Sequence, residues 1–166
     1  MSDDAAGRPP QRTRVAAYAV ATDDDDRLLL CRTAPGVVPQ QTWLLPGGGL
    51  HFGESPQAAV IRELDEEAGL DGEILRLLDV HDRLLDRVDD GERTQLHSIR
   101  IIYRVRVTGG ELRDEADGST DTCAWFTREE AAGLHLGDLA RRALRLLADD
   151  DAPPSTTPDH EPGPAA

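Results

Sequence analysis

The chain has 166 residues and a formal net charge of −14, with 32 acidic residues against 18 basic ones. That length supports one domain with a hydrophobic core and is short for two. The acidic balance argues against a broad basic surface for gripping the phosphates of a nucleic-acid polymer. Cys31 and Cys123 are too few for a disulfide framework and stand in no metal-ligand spacing. They read as buried thiols in a reducing cytoplasm. The opening residues MSDDAAGRPPQR lack the apolar core of a secretory signal, and nowhere is there an apolar run long enough to cross a membrane.

Both ends differ from the middle. Residues 1–12 and 149–166 are rich in Asp, Pro, Ser and Ala and bury too little apolar area to fold, so they are expected to be disordered tails around a folded unit at 13–148. Within that unit, VAAYAVAT (15–22) and RLLLCR (27–32) read as strands joined by the acidic turn at 23–26. A third strand carries Trp43 and Leu44 into the glycines at 47–49. Ser55 and Pro56 then supply a helix N-cap and a first helical residue, and Gly69 a stop. The segment 73–82, EILRLLDVHD, reads as a strand, with helix as the alternative. From Ile99 to Val107 the odd positions are all apolar, the pattern of a half-buried strand. CAWF (123–126) is another short strand. In 136–147, Leu136, Leu139, Ala140, Ala143 and Leu147 share one helical stripe, the mark of a packing helix. The fold class is α/β or α+β, a mixed sheet covered by two principal helices.

The helix after Ser55 has a second face. Val60, Ile61, Leu64 and Ala68 form the apolar stripe, and Glu63, Glu66 and Glu67 lie about 120° away from it. At i,i+3 and i,i+4 spacing these carboxylates repel by roughly a few tenths of a kcal/mol per pair. An isolated run of this kind reads as solvated charge. Here glycines precede it, which let backbone approach closely and expose carbonyl oxygens, and carboxylates beside carbonyls suit hard ions such as Mg²⁺ or Mn²⁺. Glu54 and Arg62 are spaced to pair and brace the loop to the helix.

Gly48, Glu54 and the run from Arg62 through Glu63, Leu64, Asp65, Glu66, Glu67, Ala68 and Gly69 to Leu70 match every specified position of the pattern G-x5-E-x7-R-E-U-x-E-E-x-G-U, where U is aliphatic. On these residues the chain resembles the Nudix (MutT-like) hydrolase family. The resemblance implies the Nudix fold, a mixed sheet sandwiched between helices. It also implies metal-dependent hydrolysis of a nucleoside diphosphate linked to another group, with Mg²⁺ or Mn²⁺ as cofactor. By position it implies Glu63 and Glu67 as direct metal ligands, Glu66 as a direct or water-mediated one, and the carbonyl of Gly47 as a further donor. The general base is Glu63 or a downstream acid. Glu115 stands where the family often places one, but it reads equally as an ordinary loop carboxylate, and Asp114, Asp117 or Asp121 are its alternatives. Arg32 falls where similar enzymes touch substrate, and a surface arginine fits that position equally. His97 reads as a core or cleft-wall residue and His51 carries no assigned chemistry.

Markers associated with ADP-ribose, dinucleotide, coenzyme A and NADH substrates are missing. Their absence leaves a nucleoside triphosphate or nucleotide derivative as the expected small-molecule partner, with no nucleic-acid polymer and no membrane. A homodimer is among the states the resemblance allows. Two other uses of the fold stay open. One is a nucleotide-binding regulatory module without hydrolysis, disfavoured by the intact box glutamates. The other is an isomerase acting on an isoprenoid diphosphate, whose expected ligands find no match.

Overall fold

The fold is that of a computed structural model, and the structure describes residues 9–89, 91–114 and 118–150. Its elements run β1 (Gln11–Thr22), β2 (Leu28–Thr33), β3 (Trp43–Leu44), β4 (Gly47–Gly49), α1 (Pro56–Ala68), β5 (Leu70–Asp89), β6 (Glu92–Gly110), β7 (Thr120–Phe126), α2 (Arg128–Ala132) and α3 (Asp138–Asp150). All strands join one mixed sheet in the order β3-β2-β1-β6-β5, with β4 paired to β1 and β7 to β2.

β1 organises the sheet. It runs parallel to β6 along its whole length, from Gln11 opposite Gln95 to Thr22 opposite Arg106. On its other edge it pairs with β2 only at Thr22 and Leu28, then with β4 at Ala16, Ala17 and Tyr18. This gap lets the glycine strand lie directly against the buried centre of the sheet. Alternation in β1 divides its side chains between two cores. Ala17, Ala19 and Ala21 meet Val60, Leu64 and Ala68 of α1, with Tyr103 and Val105 of β6. Val20 faces the opposite way and packs with Leu28, Leu30, Ile102 and the α3 stripe of Leu139, Ala140, Ala143 and Leu147. Helices therefore cover both faces, and the mixed α+β architecture agrees with the sequence reading.

The segment at 73–82 is strand, inside a β5 twice that length. β5 and β6 form one long antiparallel hairpin, with register shifts near Gly72, Arg76 and Asp79. Helix α2 was not anticipated, although its start carries a capping box. Thr127 Oγ1 accepts from the Glu130 N–H at 3.2 Å and Glu130 Oε2 accepts from the Thr127 N–H at 2.8 Å. β1 begins at Gln11, two residues before the expected domain edge, because Gln11 and Arg12 find partners on β6. α3 runs to Asp150, two residues past the other edge. The remaining tail residues lie outside the described ones, apart from Pro9 and Pro10.

One expectation is overturned. Cys31 and Cys123 are not free thiols but form a disulfide between β2 and β7. The reason is register: the two residues are direct cross-strand partners, flanked by Leu30 opposite Ala124 and Arg32 opposite Thr122. A separation of 92 residues hides that neighbourhood from any local reading.

Candidate active site

The site is built where β4 and its following loop meet α1. Ser55, in extended conformation, caps the helix by accepting from the Ala58 N–H at 3.1 Å, and Pro56 occupies the first turn. Gly69 ends it in the left-handed region at φ 70°, its N–H reaching Asp65 O at 2.8 Å. These local signals fix the helix phase. Once Leu64 and Ala68 enter the core, Glu63 and Glu67 turn toward β4.

Two glycines receive those carboxylates. Gly47 has φ 141°, and a Cβ there would collide with backbone atoms of Ala17 and Tyr18. Its N–H donates to Glu67 Oε2 at 2.8 Å. At Gly48 a Cβ would stand 2.5 Å from Glu63 Oε1, so the bare Cα is the space in which the Glu63 carboxylate rests. Glu67 is only 7% exposed. Helix phase buries Glu67, while Glu66 keeps about half its side chain, 51%, in solvent.

Arg62 links the group. Its Nε and Nη2 grip the two oxygens of Glu54 at 2.8 and 2.9 Å, and its Nη1 donates to Glu63 Oε1 at 2.8 Å and Glu66 Oε2 at 3.1 Å. Nη2 also reaches Gly49 O at 3.2 Å. One guanidinium thus joins three carboxylates and the box backbone, offsetting the repulsion that i,i+3 glutamates would otherwise feel. The fork from Arg62, with the His51 N–H second, holds the Glu54 carboxyl down to about 2. The same Glu54 contact drives the Arg62 guanidinium upward, above its usual value.

Among the described residues no three His, Cys, Asp or Glu side chains converge as a ready metal cage. The donor set still fits a hard divalent ion. It is all oxygen, and Glu63 and Glu67 are held against adjacent glycine backbone, with the Gly48 cradle kept open for a carboxylate.

The other sequence-derived candidates fall elsewhere. Arg32 gives a fork to Asp121, Nε to Oδ1 at 2.9 Å and Nη2 to Oδ2 at 3.0 Å, and lies over the Trp43 ring with its Cζ 5.7 Å from the centroid. Trp43 meets Phe126 edge-on at 4.8 Å. Asp121 is therefore the counterion of Arg32, which lowers its pKa, and Gln41 Nε2 also donates to it at 3.0 Å. Asp114 accepts from the Cys123 N–H at 3.3 Å. Glu115 and Asp117 lie outside the described residues. His97 pairs with Asp82 at 2.9 Å beside a groove of about 450 Å³ at the far end of the sheet. Sequence reasoning missed the Asp121 and Gln41 partners of Arg32, since nothing local signals a contact across 89 residues.

Comparison with known proteins identifies the family. The NUDIX domain family model matches residues 12–149. A MutT-like protein of Streptomyces ambofaciens is 28% identical over 89% of this chain and 85% of its own length. An RNA pyrophosphohydrolase of Saccharophagus degradans is 33% identical over 78% of this chain and 82% of its own. Among solved structures, the MutT NUDIX hydrolase of Burkholderia pseudomallei superposes with a TM-score of 0.65 at 29% identity, covering 82% of this chain and 98% of that one. Fold, box and family model define one class of protein, a hydrolase of phosphorus-containing acid anhydrides. The chain belongs to the Nudix hydrolase family.

Proposed function

We propose that this chain hydrolyses the diphosphate linkage of a nucleoside diphosphate joined to another group, a nucleoside triphosphate or nucleotide derivative, with Mg²⁺ or Mn²⁺ bound. The observation that carries this reading is the pairing of Glu67 with the Gly47 N–H and of Glu63 with the open Cα of Gly48. Glu63 and Glu67 are the residues that would hold the ion, with Glu66 and the Gly47 carbonyl as further donors. When bound, such an ion neutralises phosphate charge and lowers the pKa of water.

The remaining work belongs to the chain's own groups. Glu67 is oriented by the Gly47 N–H and cannot swing into solvent without exposing that donor unpaired. Arg62 fixes the Glu63 carboxylate through Oε1, leaving Oε2 as the proposed acceptor for the proton of the attacking water. Glu115 is the second candidate for that proton. Arg32, held rigid by Asp121 over Trp43, is the proposed contact to substrate.

The test is a panel of nucleoside triphosphates, ADP-ribose, nucleotide sugars and dinucleotides, assayed for released phosphate or pyrophosphate with Mg²⁺, with Mn²⁺ and with EDTA. Turnover of at least one compound that EDTA abolishes and either ion restores is expected. Equal turnover in EDTA would overturn the metal reading.

A further inference from the structure

All 18 basic residues of this acidic chain are arginines, and the strand register gathers several on one sheet face. Arg14 of β1 stands opposite Ser98 of β6, which stands opposite Arg83 of β5. One row along, Ala16 aligns with Arg100 and His81; one row back, Arg12 aligns with Leu96 and Leu85, and beyond it Thr94 aligns with Arg87. Direct partners share a face and alternate residues return to it, so Arg12, Arg14, Arg83, Arg87 and Arg100 all belong to the face that α3 covers further along. With strands about 4.8 Å apart and rows about 7 Å apart, three strands and four rows give an area of roughly 10 by 20 Å. A groove of about 220 Å³ opens within it, lined by Arg12, Thr13, Arg14, Arg87, Thr94 and Leu96.

Among the described residues, Arg12, Arg14, Arg83 and Arg100 have one carboxylate partner between them. Arg83 and Arg100 share a single oxygen, Asp138 Oδ2, at 3.2 and 2.7 Å. Among the described residues, Arg12 and Arg14 are exposed and have no carboxylate in ion-pair range. Clustering guanidinium groups this way costs repulsion that a protein with 32 acidic residues had ample means to relieve.

The strip also adjoins the box. A Cβ on Gly49 would lie 3.0 Å from Arg14 Nη2, while on neighbouring Gly48 it would meet Glu63. Arg14 and Glu63 thus sit on opposite sides of β4, whose only strand partner among the described residues is β1.

We infer that this arginine strip binds phosphate groups of the substrate that lie beyond the scissile diphosphate, so that the chain acts on a small molecule carrying further phosphates. The inference rests on the diphosphate-hydrolase reading for its use, and on the strip alone for binding. Guanidinium forks match phosphate oxygens in pairs. The strip's length accommodates only a few phosphates, and the chain's net charge of −14 opposes a longer polymer.

The test is calorimetric titration of the full chain with inorganic tripolyphosphate in EDTA at low ionic strength, where no metal links phosphate to the box. Saturable binding is expected. It weakens by about tenfold or more in Arg12→Gln/Arg14→Gln, the scale of one or two lost charge-assisted hydrogen bonds. Arg83→Gln shifts it in the same direction, and Arg113→Gln, whose side chain pairs with Asp65 away from the strip, leaves it unchanged. An unaltered melting temperature in the double variant shows that the loss is not unfolding. Absence of binding, or binding indifferent to the double variant, overturns the inference. So does a 5′-hydroxyl oligoribonucleotide that competes as well as tripolyphosphate, because the strip would then serve a polymer. Since the readout needs no turnover, loss of the hydrolase reading and loss of the subsite give different results.

Discussion

The Gly47 N–H donates a 2.8 Å hydrogen bond to Glu67 Oε2, so the buried glutamate of α1 is aimed by the first glycine of β4. In Glu67→Gln the side chain keeps a carbonyl oxygen for that N–H, and the fold is expected to survive with little change in melting temperature. The charge is lost. A metal ligand supplies several kcal/mol of transition-state stabilisation, which corresponds to a fall in kcat on the order of 10³. Steady-state kinetics beside a thermal melt checks this, and a kcat close to that of the parent protein would remove Glu67 from the proposed metal site.

Gly48 offers a test that leaves every carboxylate in place. Its backbone φ does not demand glycine, since it is not among the positive-φ residues. A methyl group there would sit 2.5 Å from Glu63 Oε1 and push the carboxylate out of its cradle. Gly48→Ala is therefore expected to cut kcat/KM by at least about tenfold, the usual scale for a ligand displaced by its support, while the melting temperature changes little. The result to look for is activity loss without stability loss; wild-type kinetics would show that Glu63 does not need that space.

Arg62 makes five hydrogen bonds, to Glu54, Glu63, Glu66 and Gly49 O. A lysine brings one point charge and no fork. Arg62→Lys is expected to lose about 1 to 3 kcal/mol of stability, the range for hydrogen bonds to charged groups, and to lower kcat because Glu63 loses its orienting partner. Urea denaturation measures the first effect and initial rates the second.

Acid should weaken the loop at Glu54. Its carboxyl is held down to about 2 in the folded chain, against an ordinary 4.5. A depressed folded pKa means that the folded state holds the proton less readily than the unfolded state. The stabilisation is thus complete above about 4.5 and disappears as pH falls through the window toward 2. Melting temperatures measured across that window should decline more steeply for the parent protein than for Glu54→Gln, which has no charge to lose.

The Cys31–Cys123 disulfide closes a loop spanning 92 residues. Cross-links of that reach contribute about 2 to 4 kcal/mol, which for a domain of this size amounts to roughly 5 to 15 °C in melting temperature. Melts with and without a phosphine reductant should differ by that much, and the Cys31→Ala/Cys123→Ala variant should be insensitive to reductant. Two titratable thiols in the untreated protein would contradict the bridge.

What a reader of the amino acids alone could state came from signals that act within a turn or two of chain. Ser55, Pro56 and Gly69 bound α1 because capping is local. The odd apolar positions from Ile99 to Val107 declare a strand because side chains alternate with period two. Glu54, Arg62, Glu63, Glu66 and Glu67 stand out because the box is a spacing within 23 residues. The pairings that make the site chemical needed the assembled sheet. The pairing of β4 with β1, the burial of Glu67 against Gly47, the Arg32–Asp121 fork and the Cys31–Cys123 bridge each join residues at least 20 positions apart. Such contacts depend on strand register, which is settled by both cores packing at once against β1, and no stretch of sequence carries that information locally.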